Sequence, residues 1–160
     1  MVRSKQPKRR KPLVPAISKR RDKKTNGAVD YEALAQFRYR LRIFLEFADT
    51  NARKVGLTSQ QYQALLTIKG LSGETPMFVG ELAGFLLIKH HTAVELVGRM
   101  VRLGLLQRTV DASDNRRVLV TLTKKGNLLL RKVAAVNFRH LGASSLTLSR
   151  ITRLFGRQRG

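Results

Sequence analysis

The polar side chains that could do chemistry in this chain fall into two neighbouring groups. The first group occupies one amphipathic stretch and consists of Lys89, His90, His91, Thr92, Glu95 and Arg99. The second group follows in a charged, turn-rich stretch and consists of Arg108, Asp114, Arg116 and Arg117. Side chains of these types contact the phosphates and base edges of nucleic acids. Their chemistry is therefore recognition by contact.

No catalytic or metal-binding pattern accompanies these groups. The sequence has three histidines, ten scattered acids and no cysteine, and it contains neither a Walker motif nor a dinucleotide-binding glycine motif. Adjacent helical residues point about 100° apart, so His90 and His91 cannot readily share one metal ion. We therefore expect no enzymatic activity, no metal and no cofactor.

A helix-turn-helix pattern positions the first group. A short apolar helix over about residues 80–87 precedes a polar turn and an amphipathic helix over about 90–103, which Gly104 ends. A very short strand at Phe78 and Val79 leads into the first of these helices. The second helix is expected to bury Val94, Val97, Met100 and Val101.

A β-hairpin pattern positions the second group. Residues 105–110 and 117–122 predict two strands, with a turn over 111–116. Asp111 and Asp114 also suit ordinary turn chemistry, which is compatible with a functional role. A helix-turn-helix followed by a hairpin can read duplex DNA, with the second helix in the major groove and the ribbon along the backbone.

Helices are predicted on both sides of this region. The first begins at Tyr31 and carries Leu34, Phe37, Leu41, Phe44, Leu45 and Ala48 on one face. Gly56 ends it, and Thr58 with Gln61 forms a capping box for a second helix. That helix is expected to bury Tyr62, Leu65, Leu66 and Ile68, and Gly70, Gly73 and Pro76 predict the loop after it. Thr123 can cap a further helix, and the segment 146–155 is amphipathic.

Positive charge extends over the whole chain. The 160 residues include 32 Lys/Arg and 10 Asp/Glu, a formal net charge of +22. Residues 1–28 hold 11 bases and one acid, so the other 21 bases and nine acids give the remainder a net charge of +12. This balance favours a polyanionic partner. No apolar run approaches a membrane span and residues 1–24 do not resemble a secretory signal, so we expect a cytoplasmic, nucleoid-associated protein without a membrane partner.

Taken in order, these residues resemble the MarR family of winged-helix transcription regulators. The family's diagnostic run is a helix ending in Gly-Leu, a basic strand, D-x-x-D-x-R and a closing LT-x-x-G. The matching positions are Gly104, Leu105, Arg108, Asp111, Asp114, Arg116, Leu122, Thr123 and Gly126. Upstream, GLTSQQYQALL and ELAGFLLIKHHTAVELVGRM resemble the family's second helix and helix-turn-helix. The resemblance covers roughly residues 31–155, and Gly98 departs from the polar or acidic residue common in relatives.

The resemblance implies a mainly α fold with a small β-wing (α+β) and a homodimer built from the first and last helices. The expected dimer contacts are Leu34, Phe37, Leu41, Phe44, Leu148, Ile151 and Leu154. Residues 29–160 would form one DNA-binding and dimerisation domain, with a DNA-reading lobe at about 56–124, after a basic and disordered arm at 1–28. The implied function is a regulator, more often a repressor, on a palindromic operator. A small-molecule effector is a further possible partner.

Individual roles follow from side-chain type and from the resemblance. His91, Thr92 and Glu95 would meet base edges, whereas Lys89 and Arg99 suit phosphates, and His90 either contacts DNA or forms surface. Arg116 resembles the family's minor-groove arginine, and Asp114 the acid that orients it. Arg108 and Arg117 would add backbone contacts.

Three alternatives concern the partner and the arm. A largely sequence-independent DNA-coating protein would also suit the charge of +22. An RNA-binding protein would need stacking aromatic residues, which make up only 6% of the chain. The arm either contacts phosphates or a minor groove, or it is a solvated extension without fixed contacts.

Overall fold

The computed structural model describes residues 31–111, 114 and 117–143. The elements in chain order are α1 (Tyr31–Lys54), α2 (Ser59–Ser72), β1 (Met77–Phe78), α3 (Val79–Leu86), α4 (His90–Arg102), β2 (Leu106–Val110), β3 (Val118–Leu122) and α5 (Lys124–Ala143). The strands form one antiparallel sheet in the order β1-β3-β2. The predicted fold class, mainly α with a small β-wing, is confirmed. The predicted segment at 146–155 lies outside the described residues.

The boundary between α1 and α2 follows the predicted local chemistry. Gly56 has a φ of +79°, a conformation that strains residues with a Cβ, and α1 ends just before it. Thr58 then caps α2: its hydroxyl accepts from the Gln61 N–H at 3.2 Å, and the Gln61 side chain accepts from the Thr58 N–H at 2.9 Å. The capping box is confirmed, and it sets the rotational phase of α2.

Two predictions for α2 were wrong. Gly70 lies inside the helix rather than in a loop, and the turn begins at Gly73, whose φ is +65°. Leu66 is exposed, whereas Ala64 and Leu65 are buried. The buried stripe of α2 runs along one row with spacings of three and four, and Leu66 is rotated about 100° from Leu65.

The core lies where the helices of the lobe meet the sheet. Its largest fully buried side chains are Leu65, Ile68, Leu82, Met100, Leu106, Val120 and Val133. They come from α2, α3, α4, both long strands and α5, so α4 shares one core with the wing. None of the described helices combines the length and apolar character that crossing a bilayer requires.

The strand before α3 is shifted by one residue from the prediction. Met77 and Phe78 pair with Val120 and Leu119 of β3, while Val79 already begins α3 and is buried. The Phe78 N–H donates to the Glu81 carboxylate at 3.1 Å. This carboxylate lies at the positive end of α3, so the helix begins directly after the strand.

The first turn of α5 is fastened to the end of α4. The Thr123 hydroxyl accepts from the Gly126 N–H at 3.0 Å and donates to the Gly104 carbonyl at 2.7 Å. The predicted cap at Thr123 is therefore confirmed. Gly126 approaches the preceding chain so closely that a Cβ there would lie 2.2 Å from the Leu105 carbonyl oxygen.

Gly126→Ala is therefore expected to destabilise the fold by about 2–3 kcal/mol, because the added carbon meets backbone atoms that cannot move aside easily. Thermal unfolding measures the loss. Gly98→Ala is the matched control, since a Cβ in the middle of α4 would meet only the flexible Arg102 side chain at 3.8 Å. That change should stabilise the protein by up to about 1 kcal/mol through helix propensity. Equal unfolding temperatures for the two variants would refute the packing argument.

Candidate nucleic-acid interface

The first turns of α4 form an open polar face. Lys89 precedes the helix in an extended conformation, and His90, His91, Glu95 and Arg99 are exposed. Thr92 is half-buried on the same part of the helix. The first turn has no acidic residue, so the partial positive charge of the helix N-terminus adds to the lysine. The structure thus places the first group at the start of α4 and along its outer side, with five of the six side chains exposed.

Packing against the core fixes the orientation of this face. Ala93, Leu96, Val97 and Met100 are buried. Val94 was predicted to be buried, but it is 47% exposed. Its outward position is a correction of helix phase, since Ala93 and Leu96 form the buried row instead. Val94 is also a candidate that sequence reasoning missed, because a valine at this position can meet a thymine methyl group.

An ion pair lies on the outer face of α4. The Arg99 guanidinium is 3.8 Å from the Glu95 carboxylate, one helical turn away, and both side chains are largely exposed. Such a pair contributes little to stability. It can exchange for contacts with a phosphate or a base without a large loss of folding free energy.

Backbone and carboxylate hydrogen bonds join the described residues at the tip of the wing. The Asp111 N–H donates to the Arg117 carbonyl at 3.0 Å, and the Arg117 N–H donates to the Asp114 carbonyl at 2.8 Å. The Asp114 N–H donates to the Asp111 carboxylate at 3.2 Å. The turn chemistry predicted for these aspartates is confirmed. Arg116 lies outside the described residues, so its orientation by Asp114 stays a prediction.

Arg117, between the tip of the wing and β3, stacks on an aromatic ring. Its guanidinium carbon lies 4.0 Å from the centroid of the Phe78 ring on β1. The two side chains line a hollow of about 250 Å³, whose other lining residues are Val79, Gly80, Glu81, His90, Val94 and Val118. The stacking links the wing to β1 at the start of α3, and sequence reasoning missed it because the two residues are far apart in the chain.

Phe78→Leu is expected to lower the affinity for every duplex about threefold, since an exposed cation–π contact is worth about 0.5–1 kcal/mol. Leucine keeps the apolar volume but removes the ring face that holds Arg117. Equilibrium binding to a duplex measures the loss. Phe85→Leu is the matched control, because Phe85 is an exposed phenylalanine on α3. Equal losses in the two variants would contradict a specific role for the ring.

A second hollow beside α4 is bordered by two arginines. It has a volume of about 660 Å³ and is lined by Arg53, Gly56, Leu57, Thr58, Ser59, Gln60, Gln61, Leu96 and Arg99. Arg53 at the end of α1 and Arg99 on α4 thus border the same space, next to the start of α2. Sequence reasoning missed Arg53, because only the tertiary fold brings the end of α1 to the recognition helix.

Arg108 completes the described basic groups of the wing. It pairs in register with Val120, and its side chain is exposed. Within the described residues, no three His, Cys, Asp or Glu side chains are grouped so that they could hold a metal ion.

The helix outside the lobe leaves apolar side chains exposed in the single chain. On α1, Leu34, Leu41 and Leu45 are 41%, 39% and 50% exposed, and Phe37 and Phe44 are half-buried. Leu148, Ile151 and Leu154, the other expected dimer contacts, lie outside the described residues. The α1 stripe is therefore only partly covered by the chain itself.

The fold and the exposed face define a winged helix-turn-helix protein, and known proteins share this architecture. Residues 55–117 match the model of the MarR family. AbsC, a MarR family transcriptional regulator from Streptomyces coelicolor, has a similar structure with a TM-score of 0.65 and 23% identity, over 84% of this chain and 94% of AbsC. A variant of Staphylococcus aureus MepR bound to an oligodeoxyribonucleotide gives a TM-score of 0.58 and 21% identity, over 81% and 94% of the two chains. Residues 55–117 of the chain are thus similar to the MarR family, and the fold is that of its solved members.

One curated relative is similar in sequence. Over 71 residues the chain is 38% identical to the transcriptional activatory protein BadR of Rhodopseudomonas palustris. The similar region covers 44% of this chain and 41% of BadR. The chain thus spans about two fifths of the length of this relative.

Proposed function

We propose that this protein is a homodimeric transcription regulator that binds double-stranded DNA sequence-specifically, and that it is not an enzyme. The observation that carries the proposal is the exposed face of α4, which presents base-reading and cationic groups beside a basic wing. In this arrangement α4 would occupy the major groove, while Arg108 and Arg117 would lie along the backbone. The match of residues 55–117 to the MarR family supports this proposal.

Phosphate contacts would come from groups around α4. Arg53 and Arg99 border one hollow, so a phosphate seated there would meet two guanidinium groups. Lys89 and Arg108 are exposed on neighbouring surfaces. Contacts of this kind set the register of the protein on the duplex, whereas His91, Thr92 and Glu95 would distinguish the bases.

Dimerisation would cover the apolar stripe of α1 and place two recognition helices on one duplex. A twofold arrangement predicts a palindromic operator whose half-sites are about one helical turn apart. The chain would then act where DNA is, in the cytoplasm at the nucleoid.

Leu41→Glu is expected to weaken the dimer by about 100-fold or more, because it places a charge within the stripe. Sedimentation equilibrium measures the change. Arg42→Glu is the matched control, since this neighbouring exposed residue points away from the stripe. An undiminished dimer in Leu41→Glu would exclude α1 from the interface.

Occupancy of an operator can block or assist transcription. We propose repression by occupancy of a promoter, with release by a small effector bound between the helical part and the lobe. The relative BadR is named as an activatory protein. A reporter fused to the protein's own upstream region decides the direction: deletion of the gene raises expression if the protein represses it.

Selection from a library of genomic fragments tests the proposal. The expected result is enrichment of a palindromic sequence bound by two protomers. Uniform recovery of fragments would instead support a DNA-coating protein, the alternative that the net charge of +22 favours.

A further inference from the structure

A buried chain of hydrogen bonds connects three helices. The Lys54 ammonium donates to Oδ1 of Asn51 at 3.1 Å, and Nδ2 of Asn51 donates to Oδ1 of Asn137 at 3.0 Å. Nδ2 of Asn137 then donates to the Tyr62 hydroxyl oxygen at 3.0 Å. The side chains come from α1, α5 and α2, and Asn51, Asn137 and Tyr62 are 7%, 4% and 8% exposed.

Lys54 fixes the direction in which the hydrogen bonds of this chain run. An ammonium group can only donate, so Asn51 must turn its carbonyl oxygen toward Lys54. The Asn51 amide nitrogen then faces the Asn137 oxygen, which leaves the Asn137 nitrogen for Tyr62. A flip of either amide would bring two donors or two acceptors together. The three buried residues therefore have one compatible arrangement, and among the described residues no buried side-chain polar atom lacks a partner.

The hydrogen-bond chain lies where α1 and α5 meet α2, the first helix of the lobe. Ala48 and Ala52 are buried on either side of Asn51, and Val133 is buried one turn before Asn137. Apolar packing of this kind tolerates small shifts between helices, because many arrangements have similar energies. The Asn51–Asn137 amide pair does not tolerate such shifts, because a hydrogen bond weakens steeply when its donor–hydrogen–acceptor angle changes.

We infer that the Asn51–Asn137–Tyr62 chain is a positioning device, which sets the angle between the α1–α5 pair and the DNA-reading lobe that begins with α2. The inference rests on the proposed dimer: with α1 at the interface, this angle fixes the separation of the two recognition helices. The hydrogen-bond chain thereby determines which spacing of operator half-sites the protein binds. Asn51, Asn137 and Tyr62 act through α4 and do not contact DNA.

The test uses an apolar variant that keeps the shape of the interior. The triple variant Asn51→Leu, Asn137→Leu, Tyr62→Phe removes the buried polar groups together, which avoids leaving one of them unpaired. Lys54 retains access to solvent along its flexible side chain. Tyr62→Phe alone is the second variant, because it removes only the last hydrogen bond and perturbs packing least.

The separation of the lobes can be measured without DNA. The chain has no cysteine, so Gln107→Cys on the exposed edge of β2 gives one spin label per protomer. Double electron–electron resonance then reports the distance between the labels in the dimer. With the native hydrogen-bond chain we expect one narrow distribution, and in the triple variant one at least about twice as broad. Tyr62→Phe should broaden it to an intermediate width.

Binding to spaced half-sites gives the functional readout. One added base pair moves a half-site by about 3.4 Å and rotates it by about 34°. We expect the selected operator to bind about tenfold or more tightly than duplexes lengthened or shortened by one base pair, and this preference to fall below about threefold in the triple variant. Val133→Ala is the control: it weakens the core of α5 but leaves the amides, so it should keep the native preference.

The possible outcomes separate the two proposals. Unchanged distance distributions in both variants, or in Tyr62→Phe if the triple variant does not fold, would overturn the positioning role. A broad distribution in the protein with the native hydrogen-bond chain would overturn it as well, while the dimer would stand. The absence of any dipolar coupling in that protein would show that it is a monomer and would remove the proposed dimer itself.

Discussion

Arg116→Ala is expected to weaken operator binding by about 100-fold while leaving the dimer intact. Each base-contacting arginine is worth about 1–3 kcal/mol, and a dimer loses one from each wing. The hydrogen bonds described between Asp111, Asp114 and Arg117 use backbone groups and the Asp111 carboxylate. They do not involve the Arg116 side chain, so they are expected to persist after the substitution. Equilibrium binding to the selected operator and sedimentation of the free protein measure the two effects.

The control for this prediction is Arg108→Ala on the neighbouring strand β2. Arg108 is proposed to contact phosphates, so its loss should weaken binding to operator and scrambled duplex by the same small factor. Arg116→Ala should instead reduce the preference for the operator, above all where the flanking sequence is rich in A·T pairs. Unchanged operator affinity in Arg116→Ala would end the minor-groove assignment.

Removal of residues 1–28 is expected to lower affinity for all duplexes alike and to flatten its salt dependence. The segment holds 11 of the 32 Lys/Arg residues. Each phosphate contact contributes about 0.9 to the slope of log K against log salt concentration, so five contacts per protomer would reduce the slope for the dimer by about 9. At low salt this corresponds to a loss of several orders of magnitude in affinity for DNA. Titrations across a salt series measure it.

A variant that keeps the length of this segment separates charge from bulk. In it all 11 Lys/Arg of residues 1–28 are replaced by glutamine. It should behave like the deletion if the segment binds phosphates. An unaltered slope in both variants would mean that the segment touches no phosphates and is a solvated extension.

Local sequence patterns were sufficient to predict the helices, the caps and the wing. The capping box at Thr58, the end of α4 at Gly104 and the Thr123 cap depend on residues within a few positions of one another. The predictions for Leu66 and Val94 were wrong for one reason. Val94 follows the buried Ala93, and Leu66 lies two positions after the buried Ala64, so a stripe scored on large apolar residues misplaces the helix face.

Contacts between distant residues were not predictable from one sequence. Asn51 and Asn137 are 86 positions apart, and either amide would suit an exposed helix surface equally well. The stacking of Arg117 on Phe78 likewise depends on the pairing of β1 with β3. Arg53 joins Arg99 only because α1 ends beside α4. The placement of the candidate residues on α4 was predictable, since the helix itself follows from its local sequence pattern.

The central claim is that the protein distinguishes one DNA sequence from others. The most direct test is equilibrium binding to a duplex from the protein's own upstream region and to a scrambled duplex of equal composition, across a salt series. We predict a preference of about a thousandfold or more that persists as salt rises, because base contacts are screened less than phosphate contacts. Equal affinities with the same steep salt slope, for this duplex and for every fragment from the genomic selection, would contradict the claim.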